Sequence, residues 1–139
     1  MKRAAFSVIL LLCLPLPVFA DALSDTRDLY QAITIRIAIL KTLLNPLEEP
    51  VRTADDIQRL VYRPIFQAET DFMMKAAAVA GTNNPYRPYS VCHQAALDFK
   101  FYVGEVQYAL KTSKPLPETA TDRDYRVTLS ACATAIGGR

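Results

Sequence analysis

The side chain best suited to acid–base or nucleophilic chemistry is His93, the only histidine in the chain. A Ser-His-Asp or Cys-His arrangement would have to be built on it. Its neighbour Cys92 is expected to be held in a disulfide, where no thiolate is free to react. On a helix, His93 also points about 100° away from Cys92. A single histidine in the first turn of a helix lacks the companions that catalysis requires. Zinc sites use three or four ligands, and the sequence has neither Cys-x-x-Cys nor a second histidine at helical spacing. Covalent haem needs Cys-x-x-Cys-His, which is absent. A non-covalent haem held by His93 with Met73 or Met74 is the one cofactor arrangement the residue types allow. Methionines on a packed helix more often fill a core, so no cofactor and no metal are expected.

Carboxylates occur close together at Glu48–Glu49, at Asp55–Asp56 and at Glu69 with Asp71. Glycoside chemistry needs two carboxylates facing one cleft, one of them raised by burial. Adjacent positions on a helix diverge instead. Asp55 and Asp56 suit the first turn of a helix, where they oppose its dipole, and Glu48 and Glu49 read as solvated connector charges. The residues therefore point away from an enzyme and toward a binding protein. The segment best placed to bind is 81–90, Gly-Thr-Asn-Asn-Pro-Tyr-Arg-Pro-Tyr-Ser. Tyr86, Arg87 and Tyr89 stand there between two prolines. Tyrosine and arginine dominate interface hot spots, and proline lowers the entropy lost on binding. The competing reading is a plain connection whose tyrosines lie back on the core.

These residues must be positioned by helices. The first is expected from Ser24, with Leu29, Tyr30, Ile33, Ile37, Leu40 and Leu44 apolar and only a narrow polar stripe, stopping at Asn45–Pro46. The second opens at Thr53 and carries Ile57, Leu60, Val61, Ile65, Ala68 and Phe72 toward Gly81. Pro64 falls inside it and predicts a kink or a division near Arg63. The third follows Ser90 with Cys92, Ala95, Phe99, Tyr102, Val106 and Leu110. The fourth begins near Thr121 with Tyr125, Leu129, Cys132 and Ile136. The expected fold is one all-α, four-helix bundle-like domain clamped by a Cys92–Cys132 disulfide. A short connection makes the third and fourth helices antiparallel, which brings the two cysteines to the same end.

Residues 1–20 read as a cleaved secretory signal: Lys2 and Arg3, an apolar run from Ala4 to Leu16, and Val18-Phe19-Ala20 as the small-residue exit. The apolar run is shorter than the roughly 20 residues a membrane span needs. Leu12 before Cys13 does not fit a lipoprotein signal. The domain then covers 21–139, and losing Cys13 leaves two cysteines for one bridge in an oxidising compartment. Removing Lys2 and Arg3 reduces 16 basic residues to 14, equal to the 14 acidic ones. A neutral surface gives no general attraction for nucleic acid. The expectation is a non-enzymatic, exported protein-binding module of the periplasm or extracellular space. Its partner would be an envelope protein, or a toxin or hydrolase neutralised as an inhibitor or immunity protein does. The alternatives are a periplasmic chaperone or an accessory subunit of a secretion or envelope assembly, and then a ligand or haem carrier.

Overall fold

The computed structural model describes residues 17–79, 81–117 and 124–137, with side chains from Asp21 onward. All regular structure among them is helical. Helix α1 spans Pro17–Leu43. It begins ahead of Ser24, which therefore lies inside the helix, because the residues before it offer no breaker after Pro17. The greater part of the expected export signal, residues 1–16, lies outside the described residues. Helix α2 (Pro50–Ile57) starts with proline at its first position, where the missing N–H has no intrahelical role, so Thr53 is interior. It passes through a π-helical turn, Gln58–Tyr62, into α3 (Arg63–Ala78). Helix α4 spans Ser90–Thr112 and α5 spans Tyr125–Gly137. The expected start of the last helix at Thr121 lies outside the described residues.

Counting α2, the π turn and α3 as one arm gives a four-helix bundle, as the apolar periodicity predicts. Pro64 divides that arm without breaking it. Tyr62 and Arg63 keep helical dihedrals, and the Arg63 N–H donates to Gln58 O, five residues back. A proline cannot donate to the carbonyl four residues earlier, which here is Leu60. That carbonyl accepts instead from Arg36 Nη1 on α1 at 3.1 Å. The backbone group freed by the proline is thus satisfied by a side chain from a neighbouring helix.

Helices α1 and α4 each pack on all the other helices. Leu29 and Ile33 from α1, Ile57, Val61 and Ile65 from the divided arm, and Phe99, Val103 and Val106 from α4 form the fully buried centre. Cys92 and Cys132 are completely buried and joined, with Cα atoms 4.7 Å apart. Two polar ties lie in the same interfaces. Buried Asp98 on α4 accepts from Gln94 at 2.7 Å and from Thr128 on α5 at 3.0 Å. Gln107 donates to Gln58 Oε1 at 2.8 Å and to Ala54 O at 3.2 Å. Each replaces solvent for a buried polar group and fixes the rotation of α4 against its neighbours. Among the described residues, no helix is long and apolar enough to cross a membrane.

Candidate functional site

The 81–90 connection is fixed by its own side chains. Gly81 takes φ +123°, open only to glycine without strain. The Asn84 amide donates to Ala76 O and Val79 O at the end of α3, and its carbonyl oxygen accepts from the Tyr86 N–H. Tyr86 is buried, set edge-on to Phe72 at 5.4 Å, and its hydroxyl donates to Asp25 Oδ2 at 2.6 Å. Burial and the hydrogen bond to Asp25 push the Tyr86 phenol up to about 12. Burial would raise Asp25, but hydrogen bonds from Lys75 and Tyr86 outweigh it and hold the carboxyl below its ordinary value. Tyr89 is also buried. Of the three residues that sequence singles out in this loop, only Arg87 is exposed. The two tyrosines anchor the connection to the core.

His93, Glu69 and Lys100 come together across α3 and α4. Glu69 is buried, accepting from His93 Nε2 at one oxygen and Lys100 Nζ at the other, both at 2.8 Å. Burial pulls its carboxyl upward, but the Lys100 and His93 hydrogen bonds outweigh this and leave it lowered. The Lys100 ammonium also sits 4.9 Å from the Phe66 ring centre. Glu69 orients the histidine as a carboxylate orients a base. The cluster ties α3 to α4 through the buried Glu69 carboxylate. Asp71, two residues along, turns outward and accepts from Gln67. Asp55 pairs with Lys111 and Asp56 with Arg59 at the surface. Met73 and Met74 are exposed on α3. Among the described residues, no group of three or more His, Cys, Asp or Glu side chains stands close enough to hold a metal.

A concavity lies on the outer face of α4. Its volume is about 590 Å³, within the range of ligand sites. Leu97, Phe101, Gly104 and Tyr108 line it from α4 at steps of four, three and four residues, with Tyr62 from the π turn on one side. Ser113 takes the left-handed conformation, and the Lys114 N–H donates back to Ala109 O. This helix ending turns the chain so that Lys114, Pro115 and Pro117 form the other edge. Phe101 is 53% and Tyr108 58% exposed. Lys114 Nζ donates to the Tyr108 hydroxyl at 3.2 Å and lies 4.8 Å from its ring centre.

No family model, curated protein or solved structure matches this chain.

Function is therefore read from this surface alone. Gly104 is its most informative residue. A glycine inside a helix costs about 1 kcal/mol relative to alanine, yet a Cβ there would meet no atom within 4 Å. The fold itself gives no packing reason for glycine at the centre of the groove. Sequence periodicity assigned one apolar stripe to this helix, the core-facing one. The second stripe was available at 97, 101, 104 and 108, but its glycine interrupts the apolar signal.

Proposed function

We propose that this chain is a non-enzymatic exported module that binds a protein partner in the α4 groove. The reading fits an inhibitor or immunity-type protein acting on an envelope protein, toxin or hydrolase in the periplasm. The observation that carries it is the groove itself: an apolar concavity with two half-exposed aromatic side chains on its floor. Aromatic anchors in a pocket supply most of the energy at protein interfaces. Arg87, exposed on the 81–90 connection, is not among the residues lining the groove.

A photo-crosslinking amino acid placed at Tyr108 in the full chain, expressed in its own cell with its leader, tests this. One defined adduct is expected, identified by mass spectrometry and lost when Phe101 is also changed to Ala. No adduct, or an adduct indifferent to that change, overturns the reading. A second reading, a chaperone or accessory subunit, draws support from exposed Phe66, Met73 and Met74 on α3. Methionine-rich surfaces adapt to many partners. That reading requires the purified chain to suppress aggregation of unrelated unfolded proteins.

A further inference from the structure

We infer that the slot between α1 and α5 binds a single-chain amphiphile, with its carboxylate head at the Lys41 end and its tail along the apolar walls. The site is separate from the α4 groove and stands whether or not that groove takes a protein. The slot has a volume of about 400 Å³, within the range of ligand sites. Tyr30 and Ile37 on α1 face Tyr125, Leu129 and Ala133 on α5 across it, and all five are half-buried. The ties of α5 run to α4 instead. They are the Cys92–Cys132 bridge, the Thr128 hydroxyl on Asp98, and the Tyr125 ring 5.1 Å from Phe99 and 5.2 Å from Tyr102. No hydrogen bond or ion pair joins α1 to α5 among the described residues. A ligand can therefore enter between these two helices without stranding a polar group.

The slot has a direction. Asp25 meets Lys75 and Arg36 meets Leu60, so α1 is antiparallel to α3. Glu69 meets His93 and Gln58 meets Gln107, so α3 and its π turn are antiparallel to α4. The bridge and the Asp98–Thr128 bond make α4 antiparallel to α5. Helices α1 and α5 are therefore antiparallel. Lys41 stands at the Arg126 end of the slot and Tyr30 at the Ala133 end, about 16 Å away along α1. No carboxylate lines the slot among the described residues. Asp124 holds Arg126 through both oxygens, at 3.0 and 3.1 Å. Lys41 is exposed and has no partner among the described residues. One end thus offers an unpaired ammonium and the other an apolar wall. A carboxylate head gives Lys41 its counter-charge, while the tail lies past Ile37 and Leu129 toward Tyr30. An uncharged or cationic head leaves that ammonium unpaired.

The probes are decanoate, octanoate and decylammonium, each titrated below its micelle concentration into the purified, oxidised chain labelled at its methyl groups for NMR. Decanoate should shift the Ile37, Leu129 and Ala133 methyl signals in a saturable way. It should bind about tenfold more tightly than decylammonium. Octanoate lacks two methylenes and should bind about fifteenfold more weakly than decanoate. Lys41→Glu, at an exposed position, should erase the preference between the two head groups without disturbing the fold. Ala133→Phe should fill the slot and weaken decanoate at least tenfold, with the melting temperature reporting that the chain remains folded. Equal binding of decanoate and decylammonium overturns the inference, as does a Lys41→Glu chain that keeps the preference. Shifts confined to Leu97 and the Phe101 and Tyr108 rings also overturn it, since the amphiphile then sits in the α4 groove. Phosphatidylglycerol vesicles separate a free amphiphile from a lipid surface. The chain should not sediment with them, and sedimentation that Ala133→Phe leaves unchanged, with no saturable decanoate shift, overturns the inference.

Discussion

Tyr86 shows how a single side chain can suit two roles on sequence and hold one in the fold. Proline-flanked tyrosine and arginine look like an interface, and the types alone do not say which way the rings turn. The deciding partners are Asp25 and Phe72, 61 and 14 residues away in sequence, which no local pattern connects to the loop. Tyr86→Phe keeps the ring packing and removes the hydroxyl's bond to a carboxylate. It should lower unfolding free energy by about 1.5 kcal/mol in urea titrations. The pH dependence gives a separate check. The folded phenol is raised to about 12, above its ordinary value near 10. The folded state therefore holds this proton more tightly, and the stabilisation is fully present below about pH 10 and lost as pH rises toward 12. The native chain should lose stability over that interval, and the phenylalanine variant should lose less. Equal slopes would mean that burial and Asp25 do not together hold this proton in the folded state.

At the scale of elements, the helices were legible because their apolar residues repeat at three- and four-residue steps, and glycine and proline mark several of their ends. Pro64 was legible as a disturbance. The form of the disturbance was not, because it depends on what accepts the freed carbonyl of Leu60. Arg36 does so from α1, with its Nε buried and without a hydrogen-bond partner among the described residues. An arginine on the first helix and a proline on the second carry no sequence mark of acting together. A double-mutant cycle tests the link. Arg36→Met should cost about 2 kcal/mol, since it strands a buried carbonyl. In a Pro64→Ala background, the restored N–H can bond Leu60 O, and the same change should cost about 1 kcal/mol less. Additive effects would show that the arginine acts independently of the proline. The same limit applied to Glu69. Its proximity to Asp71 in sequence suggested a carboxylate pair, while its real partners, His93 and Lys100, lie on another helix.

For the molecule as a whole, the disulfide is where sequence and structure meet most directly. Cysteine count, an export-like start and antiparallel helices all implied the pairing, and Cys92 and Cys132 are joined. The bridge spans 40 residues of separation, and closing a loop of that size restricts the unfolded chain by about 4 kcal/mol. Typical domain stabilities are about 5–15 kcal/mol, so the bridge supplies a large share here. It ties α5 to the start of α4, the helix that also carries the outer groove. Loss of the bridge should therefore act on the fold first and on binding only through it. A Cys92→Ser, Cys132→Ser chain should unfold at markedly lower urea than the oxidised protein. Treating the native chain with dithiothreitol should move its midpoint to nearly the same place. At urea concentrations where both forms remain folded, their affinity for the partner captured at Tyr108 should agree within about twofold, because Gly104, Phe101 and Tyr108 lie about two and a half turns or more along α4 from the bridge. A large loss of affinity in a folded, reduced chain would show that the groove is shaped by the bridge itself, and that the docking surface and the clamp are one device.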